Sequence, residues 1–381
     1  MRGYARLTPM TLSLPADPSH ALRLTGVLPE LIAALDGRSA RFPAARSAIL
    51  FVVDGLGSRA LAEHAGYARF LSAYASKKSV AATVFPTTTA AALTSLLTAT
   101  EAGEHGIVGY RAWSPDQRRM FNQLTDWGPG ALDPLTWQRA DPLLVDPATR
   151  FVVSKPEYAA TGFTVATARG ATFHGERSID DRIDTAARLA SSHEGAIVYL
   201  YVPELDAAGH RYGMASDSWL AALESVDAAA RRLHAAIGPD VGVLLTADHG
   251  MIDVEPARHV LLDHGDPRLD GVRALGGEPR MLHLYAEPGR ADAVREAWRA
   301  EESRSWVFTR DEAIDAGLFG PAVAPEVRGR IGDVLVAARA RIAYYDARLS
   351  DTSAQKMVGQ HGSLTDEERI VPLLRLGAFA R

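Results

Sequence analysis

Short apolar runs alternate with amphipathic segments along most of the chain. Three runs rich in β-branched and aliphatic residues, Ala48–Val53, Ala196–Val202 and Val241–Thr246, each stop at a turn or acidic residue and predict buried strands. The amphipathic segments predict helices at Ser58–Ala65, Ala90–Leu97, Asp180–Ser191 and Ser218–Ala236. This alternation of strands and helices predicts an α/β fold.

Two regions depart from this alternation. Residues ~110–170 carry Trp113, Trp127 and Trp137 among many Pro, Gly and Asp residues, which predicts an irregular lid. Residues ~266–345 have strand and helix candidates of their own: Arg280–Ala286, Ala291–Ala300, Trp306–Arg310 and Asp333–Ala338. We therefore expect one domain over residues 1–381, with a lid and a small α+β insertion subdomain.

The composition narrows the possible partners. With 47% apolar and 23% charged residues the chain has the balance of a globular protein, and its net charge of −5 gives no basic surface for a nucleic-acid polymer. No apolar stretch approaches the ~18 residues of a membrane span, and the first twenty residues lack the apolar core of a signal peptide. We expect a cytoplasmic protein acting on a small molecule; the oligomeric state stays open.

Candidate metal ligands follow the predicted strands. Since the chain has no cysteine, a metal would be held by His and carboxylate groups. Ligands gather at the carboxyl ends of strands in α/β sheets, and three Asp and three His stand after these runs or near the C-terminus: Asp54, Asp206, His210, Asp248, His249 and His361. Each residue alone could be a cap or a loop residue, and Asp263–His264–Gly265 repeats the Asp-His-Gly of residues 248–250.

A run of three threonines precedes one predicted helix. The segment Val84–Leu96 reads VFPTTTAAALTSL, so a hydroxyl can stand at a helix N-terminus, where the helix dipole favours an anion such as a phosphoryl group. The alternative is an N-cap with β-branched neighbours.

Taken together, six segments resemble one known family. The segments VVDGLG, FPTTT, EHGIVGY, LDAAGHRYG, TADHGM and GQHGS occur in this order over positions 52–363. The chain resembles the type I phosphodiesterase/nucleotide pyrophosphatase family of the alkaline-phosphatase superfamily. The resemblance implies an alkaline-phosphatase-like α/β fold, with a central, mostly parallel sheet flanked by helices.

The resemblance also implies a site with two divalent ions, expected to be zinc, with manganese as the alternative. One ion would be bound by Asp54, Thr89, Asp248 and His249, and the other by Asp206, His210 and His361; the Asp-His pair at 263–264 is thereby disfavoured. Thr89 would be the nucleophile, with Thr87 and Thr88 as alternatives. The implied reaction is hydrolysis of a phosphodiester or pyrophosphate bond through a covalent phosphothreonine.

One departure from the family affects the expected substrate. We expect an asparagine three residues after the nucleophile, but Ala92 stands there, and loss of such a donor elsewhere costs about 2.7–4 kcal/mol. Arg111, Lys155 and Arg280 are candidate replacements, and Tyr110 and Trp113 are predicted to form an apolar wall for the organic group. A phosphomonoesterase or phosphonate hydrolase, and a non-catalytic phosphate-ester-binding protein, are the alternative functions.

Overall fold

The computed structural model of the chain describes residues 14–380. Residues 1–13 lie outside the described residues, and they make up most of the N-terminal segment that lacks a signal-peptide pattern. The strands in chain order are β1 (Leu22–Arg23), β2 (Ser47–Val53), β3 (Val80–Ala82), β4 (Arg111–Ser114), β5 (Arg119–Asn122), β6 (Arg150–Ser154), β7 (Thr172–Gly175), β8 (Ile197–Val202), β9 (Val241–Thr246), β10 (Ile252–Asp253), β11 (His259–Leu262), β12 (Val272–Glu278), β13 (Met281–Ala286), β14 (Ser305–Thr309), β15 (Val334–Ala338), β16 (Ala343–Asp346), β17 (Gly359–Gln360) and β18 (Ile370–Gly377).

The helices in chain order are α1 (Leu24–Leu35), α2 (Ser58–Glu63), α3 (Arg69–Tyr74), α4 (Thr89–Thr98), α5 (Ala102–His105), α6 (Gly162–Ala168), α7 (Ile179–Ser192), α8 (Glu204–Tyr212), α9 (Asp217–Ala236), α10 (Ala291–Glu301), α11 (Arg310–Asp315), α12 (Pro325–Arg328) and α13 (Asp366–Arg369). The three predicted strands are β2, β8 and β9, and the four predicted helices are α2, α4, α7 and α9, with ends within two residues of the prediction. Within residues 14–380, no helix has the length and apolarity needed to cross a bilayer.

A large mixed sheet forms the centre of the molecule. Its strand order is β1-β3-β18-β9-β2-β8-β6-β7, and neighbouring strands are parallel except where β18 pairs antiparallel with β3 and β9. Every residue of β2, β8 and β9 is buried, as expected of parallel strands covered by helices on both faces. The predicted α/β fold with a mostly parallel central sheet is confirmed.

A second, four-stranded sheet lies within the segment predicted as an insertion. It has the order β12-β13-β15-β14, all antiparallel, and α10 packs against it through Val294 and Trp298. The predicted elements of this segment correspond to β13, α10, β14 and β15.

The prediction of an irregular lid over residues ~110–170 is wrong for its C-terminal part. Residues 111–122 form the hairpin β4–β5, and irregular chain follows it. However, Arg150–Ser154 is an interior strand of the central sheet, paired with β8 on one side and β7 on the other, and α6 follows it. The sequence signal of this strand is weak because only three of its residues are apolar and Asp, Pro and Lys stand close by.

Candidate active site

The predicted metal ligands meet at one edge of the central sheet. Asp54 directly follows β2, Asp248 follows β9 after one residue, and α8, which starts after β8, presents Asp206 and His210 one turn apart. These three parallel strands are neighbours in the sheet, so their carboxyl ends lie side by side. Gly55 allows the close approach because a Cβ at this position, with φ of +76°, would stand 3.0 Å from Oδ1 of Asp206.

Three of the ligand candidates form a first cluster: Asp54, Asp248 and His249. Nε2 of His249 lies 3.4 Å from Oδ1 of Asp54 and 3.5 Å from Oδ2 of Asp248. Nδ1 of His249 lies 3.1 Å from the carbonyl oxygen of Gly250, a contact that requires the proton on Nδ1. The Nε2 lone pair is therefore directed at the cluster, as in a metal-binding histidine.

A second cluster is built from Asp206, His210 and His361. Nε2 of His210 lies 3.4 Å from Oδ1 of Asp206 and 3.2 Å from Nε2 of His361. The Nδ1 atoms of both histidines lie 2.8 Å from backbone carbonyl oxygens, those of Gly359 and Thr87, so both Nε2 atoms carry lone pairs. Two lone pairs facing each other repel unless a cation lies between them, which fits a metal site.

The two clusters share His249. Its ring stacks on that of His361 with 3.6 Å between centroids, and it can also be grouped with Asp206 and His361 as a set of three ligands. The sequence resemblance implies two separate ligand sets, whereas in the structure His249 is close enough to belong to either set. Burial, together with the neighbouring His249 and His210, lowers the pKa of His361 well below its usual range and keeps the imidazole neutral, the form that binds metals.

Each of the three aspartates in the two clusters has one carboxylate oxygen without a hydrogen bond to residues 14–380. Oδ2 of Asp54 accepts a hydrogen bond from the Tyr201 hydroxyl, and Oδ1 of Asp248 accepts the N–H groups of Gly55 and His249 at 3.2 and 3.0 Å. The remaining oxygens, Oδ1 of Asp54 and Oδ2 of Asp248, are buried and accept no hydrogen bond from the described part of the chain; the same holds for Oδ1 of Asp206.

This crowding of negative charge is costly without a counterion. Burial, followed by the charges of Asp248 and Asp206, raises the pKa of the Asp54 carboxyl well above its usual range, and burial also raises the pKa of Asp248. Divalent cations bound by the free carboxylate oxygens and the Nε2 lone pairs would satisfy all of these atoms. The residues present therefore fit a metal centre with nitrogen and oxygen ligands.

The three threonines before α4 have different environments. Thr87 is buried; its hydroxyl donates to the carbonyl oxygen of Ser363 at 2.9 Å and accepts the N–H of Gly362 at 3.0 Å. Thr88 is the N-cap, accepting the N–H of Ala91. Only Thr89 of the three directs its hydroxyl at the clusters, with Oγ1 3.0 Å from Nε2 of His249.

A cavity of about 950 Å³ opens beside Thr89 and both clusters. Its wall contains Tyr110, as predicted, with 38% of that residue exposed. The cavity also borders Met357 and neighbouring residues of the loop before β17, which the sequence analysis did not assign to the site.

Other predicted substrate contacts lie elsewhere. Trp113 is outside the cavity wall: its N–H donates to the Tyr285 hydroxyl at 3.0 Å, and Arg273 lies over its ring at 4.9 Å. Arg111, on the same strand, is also outside the wall. Lys155 forms an ion pair with Glu204 at 3.5 Å, next to the wall but outside it.

Arg280 is fully buried and makes structural contacts. Its guanidinium forms a bidentate ion pair with Glu368, with both N···O distances 2.8 Å, and it donates to the carbonyl oxygens of Ala338, Ala340 and Ile342. All five N–H groups are thus engaged, so the prediction that Arg280 contacts substrate is wrong.

The inference drawn from Ala92 is also wrong. Ala92 is fully buried in the main hydrophobic core and does not line the cavity, so a side chain at this position of α4 would not reach a substrate there. Asp263 and His264, the second Asp-His pair, are exposed and belong to neither cluster. The missed residue with the clearest role is Tyr201; its only sequence signal is its place in the strand β8, before Asp206.

The chain is similar to known proteins in sequence and in fold. The profile of the family described as "Type I phosphodiesterase / nucleotide pyrophosphatase" matches residues 48–364. Among solved structures, murine ectonucleotide pyrophosphatase / phosphodiesterase 5 is similar with 18% identity and a TM-score of 0.67, covering 87% of this chain and 88% of that chain. The human protein of the same name has 19% identity, the same TM-score of 0.67 and the same coverage of 87% and 88%.

A further solved structure of the murine protein holds a ligand. It is an inactive threonine-to-alanine variant in complex with AMP, with 18% identity, a TM-score of 0.66 and coverage of 87% of this chain and 88% of that chain. At these identities, the solved structures establish a shared fold.

Proposed function

The chain belongs to the type I phosphodiesterase / nucleotide pyrophosphatase family, and we propose that it hydrolyses a phosphodiester or pyrophosphate bond of a small phosphoester with Thr89 as nucleophile. The observation that carries the proposal is the contact between Oγ1 of Thr89 and Nε2 of His249 at 3.0 Å, where both ligand clusters border the cavity. The inactivity of the threonine-to-alanine variant of the murine relative supports a threonine-dependent reaction in this fold.

The metal centre belongs to the same proposal. Asp54, Thr89, Asp248 and His249 would bind one ion, and Asp206, His210 and His361 the other. Zinc is the expected metal on ligand type, with manganese as the alternative. When bound, the ions would supply positive charge that lowers the pKa of a hydroxyl and offsets the charge of the phosphoryl group.

The chain's own groups orient the nucleophile. Because Nδ1 of His249 carries its proton, the Nε2 lone pair is free, and Oγ1 of Thr89 lies 3.0 Å from it, so both atoms can be ligands of the same ion. Thr89 is also the first residue of α4, whose N-terminal N–H groups favour an anion next to them. Tyr201 keeps the Asp54 carboxylate in place through its hydrogen bond to Oδ2.

The reaction follows from this arrangement in two displacements. The Thr89 hydroxyl loses its proton to solvent, and its oxygen forms a bond to phosphorus while the bond from phosphorus to the leaving oxygen breaks. The leaving oxygen takes up a proton from solvent, and Thr89 now carries the phosphoryl group with its remaining substituent. The oxygen of a water molecule then bonds to phosphorus, the bond to the Thr89 oxygen breaks, and a proton of that water restores the hydroxyl. Positioning and charge neutralisation supply most of the rate enhancement in such transfers.

A substrate panel tests the proposal. Purified protein supplied with Zn²⁺ or Mn²⁺ should hydrolyse bis(p-nitrophenyl) phosphate with a higher kcat/KM than p-nitrophenyl phosphate, and EDTA should abolish turnover. A preference for the monoester or for a phosphonate would replace the proposed activity by those alternatives. Binding of phosphate esters with no hydrolysis under any metal condition would indicate the non-catalytic alternative.

A further inference from the structure

The inner part of the cavity is walled by apolar side chains from one face of the sheet. Val152 on β6 pairs with Phe173 on β7 and with Tyr199 on β8, and all three residues line the cavity. Because residues paired across parallel strands point to the same face, these side chains form one continuous row.

Helices α4 and α6 cover this row. Leu93 and Leu97 of α4 and Phe163 of α6 line the cavity together with the sheet residues. We call the space between Leu93, Leu97, Phe163, Val152, Phe173 and Tyr199 the apolar chamber. Thr89, Leu93 and Leu97 are spaced four residues apart and so lie along one side of α4; the chamber therefore extends from the Thr89 hydroxyl for about 12 Å.

The cavity wall carries no cationic side chain among residues 14–380. Its carboxyl groups are Asp54 and Asp206 of the clusters, Glu278 and Asp351, and no Lys or Arg lines it. The nearby Lys155 is paired with Glu204, and Arg182 is directed at the same glutamate. Additional phosphates of a nucleoside di- or triphosphate would thus meet carboxyl groups instead of the cationic donors that such groups require.

Two threonine hydroxyls of the cavity wall are bound to backbone carbonyl oxygens and are not free for a nucleobase. The hydroxyls of Thr164 and Thr167 donate to the carbonyl oxygens of Tyr158 and Phe163, at 2.7 and 2.8 Å. Ser154 differs: it is 2% exposed, lines the cavity, and its Oγ makes no hydrogen bond to the described residues. It lies two residues beyond Val152, toward the clusters, where it can meet a polar atom close to the phosphoryl group.

We propose that the substrate is a phosphodiester with a single negative charge whose hydrocarbon substituent lies in the apolar chamber, and not a nucleoside di- or triphosphate. The inference rests on the phosphodiesterase activity proposed above and adds the chemical class of the substrate. The phosphoryl group would lie at the metal ligands and Thr89, and the alkyl chain would run along Leu93 and Leu97 toward the row of Val152, Phe173 and Tyr199.

A series of p-nitrophenyl alkyl phosphates tests this class directly. Lengthening the alkyl group from methyl through propyl to pentyl should raise kcat/KM about fourfold for each of the added methylenes, about 250-fold in all. Isothermal titration should likewise show tighter binding of pentyl phosphate than of methyl phosphate, a readout independent of turnover. A kcat/KM that does not change with chain length, or that is higher for ATP than for the pentyl diester, would overturn the inference while leaving the hydrolase intact. Absence of turnover with every ester would overturn the proposed function instead.

Substitutions that fill the chamber provide the structural test. Val152→Phe adds a ring to the sheet face, and Ala168→Phe adds one from α6, so the second variant serves if the first does not fold. In either variant the pentyl-to-methyl ratio of kcat/KM should fall at least tenfold. Leu135→Phe is the matched control, since Leu135 is 61% exposed and outside the cavity wall, and it should keep the wild-type ratio. An unchanged ratio in both folded chamber variants would contradict the inference.

Discussion

The hydroxyl oxygen of Thr89 lies 3.0 Å from Nε2 of His249. The same nitrogen lies 3.4 Å from Oδ1 of Asp54, and the His249 ring stacks on His361. One side chain thus connects the proposed nucleophile with the ligands that follow β2 and with those near the C-terminus. The hydroxyls of Thr87 and Thr88, which precede Thr89, form hydrogen bonds with backbone groups and not with His249.

The metal ligands can be tested against a control that the chain itself provides. Asp248→Asn and His249→Ala should each lower the bound metal, measured by inductively coupled plasma mass spectrometry, from about two ions per chain to about one or fewer, with loss of turnover. Asp263→Asn and His264→Ala change the same residue types in a second Asp-His-Gly that is exposed, and should leave metal content and kcat at wild-type values. Equal effects of the two pairs would contradict the assignment.

Tyr201 should act as a positioning residue. Tyr201→Phe keeps the ring but removes the hydroxyl that donates to Oδ2 of Asp54. In other metalloproteins, loss of a residue that orients a metal ligand lowers metal affinity or activity 10–100-fold. We expect a decrease of that size in the Zn²⁺ affinity of Tyr201→Phe, measured by competition with a chelator. Tyr74→Phe removes a hydroxyl from the half-buried α3 and is the control. Wild-type metal affinity in Tyr201→Phe would show that Asp54 is held in place without this hydrogen bond.

The convergence of the candidate ligands could be predicted from sequence, whereas the contacts of several neighbouring residues could not. Asp54, Asp206 and Asp248 follow apolar runs that are recognisable as strands, so their convergence follows from the parallel sheet. Tyr201 is one residue before the end of β8 and has the sequence pattern of any buried aromatic strand residue; its partner Asp54 is distant in sequence. Such contacts between elements are set by tertiary packing, which local pattern does not encode.

Side-chain direction explains the wrong predictions. Arg280 begins the chain segment that leads into β13, and its sequence neighbourhood does not reveal that Glu368 lies opposite it in the core. Ala92 is three residues after Thr89, a spacing that predicts a position beside it on the helix, but the packing of α4 buries Ala92 in the main core. The strand Arg150–Ser154 was missed because its polar ends resemble a turn.

Arg280 should matter for stability. Removing one member of a buried ion pair leaves an uncompensated charge, so Arg280→Ala should lower the free energy of unfolding by about 3–5 kcal/mol in urea titration. The control is the ion pair of Arg232 and Asp184, whose side chains are 49% and 52% exposed. Arg232→Ala should change the free energy of unfolding by less than about 1 kcal/mol. A small effect of Arg280→Ala on stability, together with a large effect on KM, would restore a role in substrate binding.

Glu278 should make stability depend on pH. Burial raises the pKa of this carboxyl well above its usual range, so the folded state holds the proton more tightly than the unfolded state. Its contribution to stability is therefore full below the unfolded pKa and is lost as pH rises toward the folded pKa. Glu278→Gln should raise Tm relative to wild type at pH 8 but not at pH 4, whereas the same change at the exposed Glu287 should affect neither. A Tm difference that is independent of pH would contradict ionisation of Glu278 as the cause.

The central claim is that Thr89 forms the covalent intermediate, and acid-quenched peptide mass spectrometry during turnover of bis(p-nitrophenyl) phosphate tests it most directly. We expect the phosphoryl adduct on the peptide containing Thr89, with fragmentation placing it on that residue. Thr89→Ala should lose the adduct and at least 100-fold in kcat, while Thr89→Ser should keep the adduct and part of the activity. Thr88→Ala, the change of the neighbouring N-cap, should retain the adduct on Thr89. An adduct on Thr87 or Thr88, or full activity of Thr89→Ala, would contradict the account.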